Sequence, residues 1–186
     1  MKNKIVTRAI LVTVLFILGW AAGTSVLIYK LPNLIMNRLS KLQIERAGAL
    51  DRLYHKRTTV DHTFRDVVKP NVDTIYSSVF ADLSKGPYVL EIPPIDKYYS
   101  YAFYADNTTN FKIISIRTHG PHKHIKALLV PEGYQGDSNG MEVVESPSDL
   151  VWIIARYRIE SKNDEKWIHR IQDQTKFIPL SQYKAS

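Results

Sequence analysis

The sequence predicts a mainly β domain of α+β class, a sandwich or barrel with peripheral helices, preceded by one transmembrane helix. Three observations carry this. An apolar run without a single charge fills residues 9–29. From Thr74 to Ile159, short runs rich in Val, Ile, Tyr and Thr are punctuated by Gly, Pro, Asn, Asp and Ser, the pattern of short strands joined by tight turns. Helical spacing occurs on either side of that stretch, after the apolar run and again near the C-terminus.

The 186 residues make one domain with a little to spare. Hydrophobic residues at 45% and charged residues at 23% indicate a globular chain, not a disordered one. The net charge of +7 permits attraction to anionic headgroups or acidic partners, but no basic run is long enough for a nucleic-acid patch. Cysteine is absent, which excludes disulfides, cysteine nucleophiles and thiolate metal sites.

Residues 1–8 form a basic tail with Lys2, Lys4 and Arg8. Residues 9–29 read AILVTVLFILGWAAGTSVLIY; at about 1.5 Å per residue such a run crosses the hydrocarbon core of a bilayer. A cleavable signal peptide cut near Ala21-Ala22-Gly23 competes with this reading. Val26-Leu27-Ile28 carry the apolar run past that point, which favours an uncleaved signal anchor and makes the lipid bilayer a partner. The basic tail favours a single-pass inner-membrane protein with a periplasmic or extracellular C-terminal domain, although Lys30, Arg38, Lys41 and Arg46 weaken the asymmetry.

Residues 30–64 are expected to hold an amphipathic helix and a connector. Pro32 suits a first helical turn, and Ile35, Leu39, Leu42, Arg46 and Ala49 follow at helical spacing to about Leu53, an apolar face to pack on the domain. The polar run from Tyr54 to Asp66 connects onward, bringing His62, Arg65 and Asp66 close in sequence to the β-rich domain of residues 65–186. That domain opens on Lys69-Pro70-Asn71-Val72-Asp73, where Pro70 enforces extended geometry and Asn71 and Asp73 hold a turn.

Strands are predicted at Thr74–Leu83, Tyr88–Ile92, Tyr98–Tyr104, Lys112–Ile116, Ile125–Val130, Met141–Val144 and Leu150–Ile159. In the last, Val151, Ile153, Ala155, Tyr157 and Ile159 share an apolar face, and Trp152, Ile154, Arg156 and Arg158 the other. Asn163 is placed to cap a helix whose first turn holds Asp164 and Glu165 and whose stripe is Trp167, Ile168 and Ile171. Phe177 to Leu180 closes the chain in extended form.

Several motifs together resemble the bacterial family called domain of unknown function 1254. They are Asn71-Val72-Asp73-Thr74-Ile75-Tyr76-Ser77, Asp82-Leu83-Ser84-Lys85-Gly86-Pro87, Tyr98-Tyr99-Ser100, Pro131-Glu132-Gly133-Tyr134, Ser146-Pro147-Ser148, Trp152-Ile153-Ile154-Ala155-Arg156, and Ile171-Gln172-Asp173-Gln174 with Pro179-Leu180. The resemblance covers about Arg65 to Leu180. It implies a jelly-roll-like β fold with peripheral helices and assigns no general reaction. Many members carry a second domain, of unknown function 1214, before which this chain stops; the resemblance therefore implies a companion protein carrying that domain. Val72 and Ala155 depart from the family pattern, which commonly has a polar residue and a glycine there.

Asp73 is the leading candidate for a polar site, with Asn71, Thr74 and Tyr76 as hydrogen-bonding groups and Arg156 as a positive charge for an anionic group. Their convergence requires the first and last long strands to be neighbours. The competing role for Asp73 and Arg156 is a buried network that locks the fold. His119, His122 and His124 are read as loop residues, not a metal site, and no cofactor motif occurs: Gly-x-Ser-x-Gly, phosphate-loop and dinucleotide fingerprints are missing. The expected role is that of an envelope-associated binding or assembly subunit. The alternative is a small-molecule lyase or hydrolase built on Asp73 and Arg156. A third reading, a module holding anionic lipid, rests on net charge alone.

Overall fold

The structure is a computed structural model describing residues 2–60, 71–161 and 163–183. His62, Arg65, Asp66, Lys69 and Pro70 lie outside the described residues.

One unbroken helix, α1, runs from Lys2 to Ala47. Its segment Lys4–Ala47 contains a window long and apolar enough to cross a membrane, none of it buried in the protein. The expected separate helix starting at Pro32 is corrected: Pro32 sits inside α1, and the helix ends at Ala47, short of Leu53. Proline removes the bond to the carbonyl four residues back, Ile28, and its ring crowds that carbonyl, yet the helix continues through it. Beyond Pro32 the helix docks on the domain. Met36 is fully buried, Ser40 and Gln43 nearly so, and Gln43 Nε2 donates to the carbonyls of Arg52 (2.8 Å) and Ser78 (3.2 Å).

Two sheets form a sandwich, and among the described residues they do not close into a barrel. The first contains β1 (Tyr54–His55), β2 (Thr74–Asp82), β4 (Tyr99–Tyr104), β5 (Asn110–Ser115) and β8 (Leu150–Arg158), in the order β1-β2-β8-β4-β5. The second contains β3 (Tyr88–Ile92), β6 (Ile125–Pro131), β7 (Glu142–Ser146) and β9 (Lys176–Pro179), in the order β7-β6-β3-β9. Among the described residues all ladders are antiparallel except β6–β7. The turn from β2 to β3 uses a 3-10 turn, Leu83–Lys85, and closes at Gly86 with φ +120°, a conformation that favours glycine.

The inward faces alternate as the sequence predicts. Val151, Ile153, Ala155 and Tyr157 of β8 pack with Tyr99, Tyr101 and Phe103 of β4 and with Tyr88, Leu90 and Ile92 of β3 in one core. Tyr88 stacks on Phe177, ring centroids 5.0 Å apart. The outward face of β8 forms a second cluster, in which Ile154 packs with Tyr76 and Val60 and against Trp152. There the indole of Trp152 donates to Ser78 Oγ (2.8 Å).

Two shorter helices flank the sheets: α2 (Ile116–His119) and α3 (Asp164–Gln174). The expected cap at Asn163 is corrected: it has helical dihedrals and makes no side-chain cap bond. Asp164 does the anchoring instead, accepting the amides of Glu160 and Ser161 (both 2.9 Å) and Lys97 Nζ (2.6 Å). The ammonium and the two amides hold its carboxyl at about 2.

Candidate functional site

β2 and β8 are neighbours through nine paired positions, with Thr74 opposite Arg158 and Tyr76 opposite Arg156. That register brings the predicted residues to one end of the first sheet. Asn71, Asp73 and Thr74 line a pocket of about 280 Å³ together with Tyr98, Arg117 and Arg158. Thr74 Oγ1 donates to Asp73 Oδ1 (3.1 Å), and Arg158 Nε lies 3.7 Å from Asp73 Oδ2. The backbone amide of Asn71 donates to the Tyr76 hydroxyl (3.1 Å), which ties the turn to the strand it enters.

Two of the five predicted residues do not line this pocket. Tyr76 is buried under the turn, and Arg156 lies one strand repeat further along, paired with Ser100 and Tyr76. Two residues advance a strand by about 7 Å, so the guanidinium nearest Asp73 is Arg158. The Asp73 side chain is half exposed, so it is not the buried lock that the competing role requires. Arg117 joins the pocket from α2 and Tyr98 from the residue just before β4, both far away in sequence. Only the tertiary fold brings them there.

A larger cleft, about 590 Å³, opens on the side of the sandwich where β1 and β9 are the edge strands. One wall is Asp51, Arg52, Leu53 and His55; the other is Lys176, Phe177, Ile178 and Pro179. Behind the cleft runs a polar network. His55 Nδ1 is 2.8 Å from Ser77 Oγ. Gln172 Nε2 donates to Ser77 Oγ (3.0 Å) and to the Lys56 carbonyl (3.1 Å). Arg57 pairs with Asp173 at 2.5 Å on the rim. Deeper in, the Tyr101 and Tyr157 hydroxyls are 2.7 Å apart, and burial raises the pKa of both. Burial first, and then the Arg57 charge, lower His55 to about 4. It is therefore a neutral imidazole at physiological pH, able to donate at one nitrogen and accept at the other.

Ser77 is 2% exposed beneath β1. A hydroxyl so covered holds the sheets' polar seam together and is not placed to attack a substrate. The sequence showed no link between His55 and Ser77. The signal for it is the pairing of β1 with β2, which sets the two residues directly opposite.

The three histidines go to separate partners. His119 Nε2 lies 2.7 Å from Glu142, His124 Nε2 lies 2.9 Å from the buried Glu91, and His122 donates its backbone amide to Ile95.

The fold defines a two-sheet β domain carried on a long apolar helix. Residues 50–179 match the family described as protein of unknown function (DUF1254), and the chain belongs to that family. The solved VPA0106 protein of Vibrio parahaemolyticus has a similar fold: TM-score 0.64 and 20% identity, covering 84% of this chain and 37% of that one. An uncharacterised protein from Burkholderia cenocepacia matches at TM-score 0.49 and 11% identity, covering 88% of this chain and 43% of that one. The chain thus spans less than half the length of these solved structures. No curated protein matches it.

Proposed function

We propose that the protein is a membrane-anchored binding or assembly subunit of the cell envelope whose domain works with a companion polypeptide carrying the 1214 domain. The carrying observation is α1. One helix passes from the apolar run into the sandwich, burying Met36 and Gln43 on the way, so anchor and domain are built as one body. The companion rests on the family resemblance, since many members of that family carry the 1214 domain. The test is cross-linking in native membranes, detergent purification and mass spectrometry. A small anchored protein carrying the second domain is expected in equal amount; recovery of this protein alone, or only with itself, overturns the proposal.

A second reading is favoured by the convergence of Asp73, Arg117 and Arg158 on one pocket: binding or turnover of a small anionic molecule, with Arg158 in place of Arg156. Asp73→Asn separates the two. A lost reaction at unchanged melting temperature favours the enzyme. Unaltered partner recovery with no reaction to lose favours the subunit.

A further inference from the structure

We infer that the pocket at the Asp73 end of the first sheet binds a small hydroxycarboxylate, a molecule with one carboxylate and at least one neighbouring hydroxyl. This rests on the second reading above, that the pocket takes a small anion, and names the class of that anion.

The cations decide the charge. Arg158 is already engaged, with Asp73 at 3.7 Å and with Glu160 at 4.0 Å. The Arg117 guanidinium has no ion-pair or hydrogen-bond partner among the described residues. Its short helix is nevertheless pinned on both sides. The Ser115 amide donates to Thr118 Oγ1 (2.9 Å), the Gly120 amide to the Ile116 carbonyl (3.0 Å), and His119 Nε2 lies 2.7 Å from Glu142. One free guanidinium on a fixed platform is left for one anionic group. A planar carboxylate matches its fork, two N–H donors to two oxygens. A phosphate dianion would bring a second negative charge beside Asp73, with no further cation in the lining to balance it.

Asp73 decides the rest of the molecule. Its Oδ1 accepts from Thr74 Oγ1 (3.1 Å), and its Oδ2 faces Arg158 Nε. An ionised carboxylate has about four acceptor sites, so Asp73 can still take an O–H donor. Its charge is already met by Arg158, which favours a neutral hydroxyl over an ammonium. The Tyr98 ring supplies a wall for the ligand's C–H groups. The walls are tied together through the backbone: Ile159 N bonds to Asp73 O (2.7 Å) and Arg158 N to Tyr98 O (3.4 Å). Little ordering is then left to be done on binding. Asp73, Tyr98, Arg117 and Arg158 are all exposed to solvent, so the pocket is open. Its 280 Å³ lies just below the range of about 300–1,000 Å³ that suits drug-sized ligands, which sets the ligand as a small one.

The test is saturation-transfer NMR on the full chain purified in detergent, titrated with D-glucuronate, acetate, D-glucose and inorganic phosphate. Glucuronate is expected to bind about tenfold more tightly than acetate, the worth of one hydrogen bond to a charged group. Arg117→Gln should weaken glucuronate about tenfold. Asp73→Ala should bring glucuronate down to the affinity of acetate. Lys123→Gln, an exposed charge outside the pocket, should change nothing. Acetate binding as well as glucuronate, or phosphate binding better, overturns the hydroxycarboxylate and leaves the small-anion reading standing. Glucose binding as well as glucuronate, an equal loss with Lys123→Gln, or no binding of any anion overturns both.

Discussion

At the scale of residues, His55 shows how packing sets chemistry. Its folded pKa is about 4 against the ordinary 6.5. Between those values the unfolded chain binds a proton that the folded one does not, so stability is full above pH 6.5 and falls as pH drops towards 4. The loss is about 1–2 kcal/mol once screening at a partly exposed ring is allowed for. Denaturant melts at pH 7.5 and pH 4.5 check this, and His55→Gln should flatten the difference. Asp73 makes the opposite case. Its side chain is half exposed and its guanidinium partner 3.7 Å away, so Asp73→Asn should cost under about 1 kcal/mol of stability. The motif Asn71–Ser77 marked Asp73 as a candidate without revealing which arginine faces it, because a two-residue step along β8 is invisible until register is known.

At the scale of elements, α1 and α3 are held by contacts that local sequence does not display. The predicted apolar face began at Ile35, which is 45% exposed, while its neighbour Met36, outside that face, is fully buried. Met36→Ala should destabilise the protein by about 2–4 kcal/mol, seen as a lower denaturation midpoint in detergent. For α3, the expected cap at Asn163 makes no side-chain bond. Asp164, inside the first turn, instead reaches back to the Glu160 and Ser161 amides and across to Lys97, partners that only the tertiary structure brings to it. Asp164→Ala should lower the melting temperature, and Asp164→Asn by less, since an amide oxygen still accepts the two backbone bonds. Strand boundaries were legible to within a residue or two, because alternation persists until a turn residue interrupts it.

At the scale of the whole molecule, the docked helix fixes which end of the sandwich faces the anchor. Asn33 lies four residues past Tyr29, about 6 Å along the helix, and its amide donates to Asp106 Oδ2 (3.2 Å). The ends of β2 at Asp82 and of β4 at Tyr104 share that side, while Asn71, Asp73, Arg117 and Arg158 gather at the other end of the nine-residue strand β2, about 27 Å away. With residues 9–29 in a bilayer, a fluorophore at Asn107 should be quenched by headgroup-labelled lipid and one at Arg117 should not. Equal quenching of both would mean that the helix and domain part company in the membrane.

Composition and pattern alone determined the apolar run, the mainly β class, the inward faces of β4 and β8, and the polar turn at Asn71–Asp73. These depend on hydrophobic periodicity and turn chemistry, which are local properties of the chain. The tertiary structure alone decided the open sandwich in place of a barrel, the continuity of α1 through Pro32, the choice of Arg158 over Arg156, and the meeting of His55 with Ser77. Each of these depends on which strands become neighbours and in what register, and register is settled by the packing of both sheets at once.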